Sequence, residues 1–185
     1  MLFRSRRTFI FVDLSGFTTF TEQHGDGTAA QILSKFRAVA RAVGSHQGVR
    51  IDKYLGDGLM AVAVEAHDGI TFAMELQRHA AVACAPLSLR IGIASGDTML
   101  FEGQDYIGWA PNMAARLCDA ASGVGALLPA EQAVNLPVGL TALAHPPVEL
   151  PGFEGLVEVV ALAGEPLIDG RYDINEVLLG APFVS

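Results

Sequence analysis

The stretch FVDLSGFT, from Phe11 to Thr18, closes an apolar run on a lone carboxylate, Asp13, followed by the flexible step Ser15-Gly16. A carboxylate at a strand end can cap the next helix, or it can project a metal ligand from the edge of a sheet. A second carboxylate, Asp57, stands in KYLGDG between Gly56 and Gly58, whose small size permits a tight turn and the close approach of another group. No lysine stands beside the two that must neutralise them. Together Asp13 and Asp57 suit a hard divalent cation such as Mg²⁺, which keeps several waters and takes one or two protein carboxylates plus substrate phosphates. Leu14, Ser15, Gly16 and Phe17 then lead into a helix start, whose free backbone N–H groups can hold a polyphosphate.

A third stretch, DYIGWAPNMAARL, places Asn112 and Arg116 four residues apart, on one face of an expected helix. Pro111 suits the first turn of that helix. An amide and a guanidinium at this spacing can form a solvated face. Beside a metal-carboxylate site they can orient a sugar and neutralise a phosphate.

These residues need elements to hold them. Thr8 to Leu14 reads as a strand ended by Ser15-Gly16. After Gly27, apolar residues at Ala29, Ile32, Leu33, Phe36, Val39, Ala40 and Val43 give a helix ending near Gly44. Val49 to Leu55 and Leu59 to Val64 flank Gly56-Asp57-Gly58 as a hairpin. His67 to Cys84 reads as a second helix. Leu87 to Ser95 and Thr98 to Phe101 read as a second hairpin about Gly96-Asp97. Trp109 to Ala121 gives a third helix, Gly125 to Leu128 a short strand, and Val157 to Leu162 a last one. The order strand, helix, hairpin, helix, strand predicts an α+β fold, a mostly antiparallel ferredoxin-like sheet with helices on one face. In that order the first strand lies beside the Asp57 hairpin, so the two carboxylates meet at one edge.

The 185 residues suffice for one domain with a sizeable core, and 51% apolar against 17% charged residues describe a globular chain. The net charge of −8 argues against nucleic-acid binding while leaving room for an anionic ligand that arrives with a divalent metal. Cys84 and Cys118 lack ligand spacing and read as buried structural thiols. His24, His46, His67, His79 and His145 show no ligand spacing either. With no apolar run of about 18 residues and no signal-peptide pattern at MLFRSRR, a cytoplasmic protein without a membrane span is expected.

FVDLSGFT, KYLGDG and DYIGWAPNMAAR, in this order and at this spacing, resemble the class III adenylate/guanylate cyclase catalytic domain, over roughly Thr8 to Leu162. The resemblance implies a catalytic domain at 1–163, with 164–185 left as a tail of unread role. It implies a ferredoxin-like core and a head-to-tail homodimer with two composite active sites at the subunit interface. Carried onto this sequence, Asp13 and Asp57 match the metal-binding aspartates, and Lys53 and Asp105 the purine-selecting pair. Asn112 matches the ribose-positioning asparagine and Arg116 the transition-state arginine. Pro111 departs from the small β-branched residue expected there.

The implied reaction is ATP to 3′,5′-cyclic AMP and pyrophosphate with two divalent cations, Mg²⁺ or Mn²⁺. Adenine offers an acceptor at N1 and a donor at its amine, and guanine offers the reverse. A lysine donor with an aspartate acceptor therefore fits ATP, and mismatched polar groups of this kind discriminate by ~10⁴-fold. The alternatives are a guanylate or relaxed-specificity cyclase, and a homologue that binds nucleotide or a partner without turnover. The latter usually lacks a metal aspartate or the arginine, and both are present. A diguanylate cyclase is disfavoured because no Gly-Gly-acidic hairpin signature is found.

Overall fold

The run FIFVDL is apolar at successive positions rather than alternate ones, and the structure explains why. In the first strand, β1 (Arg4–Ser15), Ile10, Val12 and Leu14 enter one core while Phe9 and Phe11 enter another on the opposite face. The chain continues through α1 (Phe17–Gln47), β2 (Arg50–Leu55), β3 (Gly58–Ala63), α2 (Ala66–Ala83), β4 (Ser88–Phe101) and β5 (Asp105–Ile107). There follow α3 (Trp109–Ala120), β6 (Ala126–Pro129), β7 (Leu140–Ala144), β8 (Val148–Glu149), β9 (Leu156–Val157) and β10 (Val159–Gly164). This computed structural model describes residues 3–168.

Seven strands run side by side in the order β2-β3-β1-β4-β6-β10-β7, with β5 attached to β4, while β8 and β9 form a separate pair. All neighbours are antiparallel except β4 and β6. The α+β, mostly antiparallel sheet is thus as expected, with β1 beside the β2–β3 hairpin.

The helices do not share one face. Phe36, Val39 and Val43 of α1 and Ile70, Phe72 and Leu76 of α2 pack on Ile10, Val12 and Leu14. Ala110, Met113, Ala114 and Leu117 of α3 pack with Phe9 and Met60 on the other side. A sheet covered on both faces loses strict polar alternation, and that was the signal in FIFVDL.

The second hairpin is also different. Instead of turning at Gly96-Asp97, β4 runs on as fourteen residues, with Gly96 opposite Arg7 and Asp97 opposite Arg6. Glycine here serves helix packing. A Cβ on Gly96 would stand 3.1 Å from Ala110 Cβ, and one on Gly92 only 2.0 Å from the Ala114 carbonyl. Glycines inside a strand often mark such a close approach. The β4 turn lies later, at residues 102–104, and leads into β5.

Helix α1 begins at Phe17 rather than after Gly27. It is interrupted at Gly25 (φ 83°, ψ 163°), so the apolar period from Ala29 captured only its second segment. Among the described residues no helix is long and apolar enough to cross a membrane. The tail expected from Gly164 begins on the last residue of β10, and from residue 169 onward it lies outside the described residues.

Candidate active site

Asp13 sits inside β1, bracketed by Gly58 on β3 and Arg90 on β4. It caps nothing: the N-cap of α1 is Gly16, in the left-handed region at φ 78°, with no side-chain cap. The turn carrying Asp57 is drawn against β1 by a bond from the Leu14 N–H to the Asp57 carbonyl, 3.2 Å. Gly58 makes this approach possible, since a Cβ there would stand 2.5 Å from the Val12 carbonyl. Both carboxylates consequently line one open cleft of about 260 Å³, shared with Phe11, Leu55, Ala115 and Asp119.

Burial and the neighbouring charge of Asp13 raise the Asp57 pKa, partly offset by Arg90. Two carboxylates that disfavour each other's charge form a site that a cation relieves. Their oxygens suit a hard ion. Among the described residues no group of three or more His, Cys, Asp or Glu could hold a metal. The donor set therefore fits the sparse arrangement in which waters and substrate oxygens complete the shell.

Sequence reasoning missed Arg90. Its Nη2 donates to Oδ2 of Asp13 across the β1–β4 ladder, with the two side chains 28% and 23% exposed. The sequence reading considered only lysine as a neutralising partner, whereas the cation beside Asp13 is an arginine. The available signal was register: once β4 pairs with β1, Arg90 in LRIG falls opposite Asp13.

The other expected groups form a second centre. Lys53 Nζ donates to Asp105 Oδ1 at 2.9 Å, a bond that raises the lysine pKa. A bulge in β2 brings this about. Pairing steps from Ile51–Ala61 to Lys53–Met60, so Asp52 is the extra residue. Ile51 packs in the α1/α2 core and Met60 in the α3 core. Without the bulge, Lys53 would share the face of Ile51. The bulge turns it toward β5, where Arg50 donates to the Tyr106 hydroxyl at 2.7 Å and Tyr106 meets Phe9 edge-on, centroids 5.1 Å apart. Asp52, its side chain 6% exposed, accepts from Arg50 at 2.6 Å and lies 3.9 Å from Lys53.

Asn112 and Arg116 are exposed on α3 and do not themselves line the cleft. Asn112 Nδ2 donates to the Gly108 carbonyl at 3.1 Å, and Arg116 lies 3.7 Å from Asp119. Pro111 is buried in the first turn of α3, as expected. Leu14 offers least of the expected set, because its side chain is buried and its N–H is spent on Asp57. Ser15, Gly16 and Phe17 follow Leu14 without lining the cleft. The first bonded N–H of α1 is that of Phe20, to Gly16 at 3.0 Å, which leaves the preceding donors of the turn available to an anion.

No family model matches the chain. An uncharacterized protein of Mycobacterium tuberculosis is 34% identical over 156 residues, 84% of this chain and 41% of that one. A second from that organism is 39% identical over 97 residues, 52% of this chain and 37% of that one. The chain thus spans less than half the length of these curated relatives. Among solved structures it is similar to the adenylyl cyclase CyaB from P. aeruginosa, with TM-score 0.75 and 21% identity, covering 94% of this chain and 98% of that one. It is also similar to the guanylate cyclase domain of RhGC from Catenaria anguillulae in complex with GTP, with TM-score 0.73 and 17% identity, covering 88% and 99%. A rhodopsin-guanylyl cyclase catalytic core with converted specificity, in complex with ATPalphaS, gives TM-score 0.75 at 18% identity, covering 89% and 99%.

Proposed function

We propose that this chain, whose fold is that of the class III nucleotide cyclase catalytic domain, is an adenylate cyclase converting ATP to 3′,5′-cyclic AMP and pyrophosphate. The observation that carries the reading is the convergence of Asp13 and Asp57 on one cleft, apart from a Lys53–Asp105 pair on the same chain. Both nucleotides occur among the similar structures, so the fold does not choose the base. The choice is assigned to Lys53 as donor to adenine N1 and Asp105 as acceptor from its amine, which guanine would leave mismatched.

Asp13 and Asp57 would hold two divalent cations, Mg²⁺ or Mn²⁺, which when bound lower the effective pKa of the ribose 3′-hydroxyl and neutralise the leaving pyrophosphate. Asn112 orients the ribose. Arg116 meets the charge that grows on the transferring phosphoryl group. Gly16 and Phe17 offer backbone N–H groups to the triphosphate, while Ser15 is held in the β1–β4 ladder opposite Ser88.

One chain does not enclose a nucleotide. The cleft of about 260 Å³ is smaller than the ~300–1,000 Å³ usual for small-molecule sites. None of Lys53, Asp105, Asn112 or Arg116 lines it. A two-fold homodimer would complete two composite sites, each pairing the carboxylates of one chain with those four side chains of the other. Exposed Leu100, Phe101, Ile107 and Trp109 on the β4–β5 arm and the start of α3 give such a partner an apolar surface.

The direct test incubates the protein with ATP or GTP, each with Mg²⁺ or Mn²⁺, and identifies the products by chromatography. Cyclic AMP formed in preference to cyclic GMP is expected. Cyclic GMP as the main product would reassign the base, and no cyclic product from a folded dimer would favour a binding homologue.

A further inference from the structure

We infer that Arg90 is a resident counter-ion of the carboxylate cleft, standing in for a divalent cation in the metal-free protein and setting how tightly one can bind. The inference rests on the metal reading of Asp13 and Asp57. Arg90 is fixed by the ladder opposite Asp13, and its Nη2 donates to Oδ2 of that carboxylate. Its charge also acts on Asp57 at the β2–β3 turn. From α3, Asp119 and Cys118 face it, and its own carbonyl accepts the Cys118 thiol at 3.4 Å. Its Nε is buried without a hydrogen-bond partner, so the guanidinium is held by its carboxylate bond rather than by a full set of partners.

Two consequences follow for an incoming cation. It must share the Asp13 carboxylate, whose Oδ2 Arg90 now uses, and it must sit within a few ångströms of a fixed positive charge. Both weaken metal binding. In exchange, the metal-free cleft carries one net negative charge from Asp13, Asp57 and Arg90 rather than two, so the fold is not strained by an unrelieved carboxylate pair. A site of this kind favours metal that arrives with a polyphosphate, whose charge offsets the guanidinium, over free metal.

The test measures Mn²⁺ binding to the full chain without nucleotide, by titration calorimetry and by the electron paramagnetic resonance signal of free Mn²⁺, alongside thermal melts. Arg90→Gln should bind Mn²⁺ about tenfold tighter than the parent, the scale of removing one unit charge near a divalent ion in a water-like dielectric. It should also melt lower than the parent without metal and gain more from Mn²⁺. Arg90→Lys keeps the charge and should stay within about twofold of the parent. If Arg90→Gln fails to fold, Arg90→Met keeps the apolar stem and carries the same expectation. Binding that is equal or weaker in the neutral variant, while Asp57→Asn abolishes it in the parent background, overturns the role of Arg90 alone. Binding that is indifferent to Asp57→Asn, or absent from both the parent and Arg90→Gln, overturns the metal reading and this inference with it.

Discussion

The carboxylate cleft and the Lys53–Asp105 arm stand on the same face of one sheet, yet they hold their charges in opposite ways. In the cleft, backbone does the holding. Asp13 is paired on both sides, the Asp57 carbonyl is bonded to Leu14, and Gly58 lets the chains close up. On the arm, side chains do it: a three-residue strand, one aromatic contact and the Arg50–Tyr106 bond keep Asp105 over an exposed lysine. Chemistry that depends on the spacing of two like charges needs the rigid solution. Recognition of a base edge tolerates the looser one. On the proposed function, the arm should accept re-specification without loss of the fold, whereas a change in the cleft should cost the reaction.

The harshest way to break this comparison is at Asp57. Asp57→Asn removes a ligand charge while leaving the turn backbone unchanged, so cyclase activity should fall by at least ~10²-fold, the scale of losing one preorganised electrostatic group. Circular dichroism should be unaltered. A folded variant with near-parental activity would show that the cleft is not where the chemistry happens.

Next in size is recovery by mixing. Asp57→Asn and Arg116→Ala chains are each expected to be inactive, since every site in each dimer carries a lesion. In a mixed two-fold dimer both lesions fall in one site and the other is intact. Random exchange makes about half the dimers mixed, so about a quarter of the sites should recover. The measurement is activity against mixing ratio, with exchange verified by differently tagged chains. No recovery despite proven exchange would put Asp57 and Arg116 of one chain in the same site and reject the composite dimer.

A gentler probe sharpens the arm. Lys53→Glu with Asp105→Cys presents an acceptor to guanine N1–H and withdraws one from the adenine amine. The ratio of ATP to GTP turnover should fall by at least ~10-fold, read from kcat/KM on both nucleotides. The melting temperature should barely move, because exposed ion pairs contribute only ~0–1 kcal/mol. An unchanged nucleotide ratio would remove Lys53 and Asp105 as selectors.

The two regions also differed in how far the sequence disclosed them. Gly56-Asp57-Gly58 has only one economical use next to two apolar runs, and the structure has the hairpin there. Gly96-Asp97 carries similar turn chemistry but is spent on α3 packing, because a glycine that frees a turn and one that admits a helix look alike along the chain. Arg90 was hidden for a related reason: its significance lies in β1–β4 register, a long-range property. On the arm, the family resemblance singled out Lys53 and Asp105, which the structure pairs, but the bulge at Asp52 that aims Lys53 has no local signature. Alternation counted along β2 would have turned that side chain to the wrong face.

The smallest expected effect concerns the wall of the cleft rather than its charges. Cys118 lies on the α3 side, its thiol donating to the Arg90 carbonyl, and burial pushes its pKa from 9.0 up to about 12. The exposed arm offers no comparable buried thiol. Because the folded pKa lies above the unfolded one, this thiol's contribution to stability is complete below pH 9. It is lost as pH rises from 9 toward 12, where the unfolded chain ionises and the folded one resists. The limiting slope is ~1.4 kcal/mol per pH unit for one group. Urea unfolding at pH 8 and pH 10 should therefore show the parent losing about 1 kcal/mol more than Cys118→Ala over that interval. Cys84, pushed up to about 11, is present in both proteins and cancels in the difference. Equal losses would mean that water reaches Cys118 freely, and the cleft would then be as wet as the arm it is contrasted with.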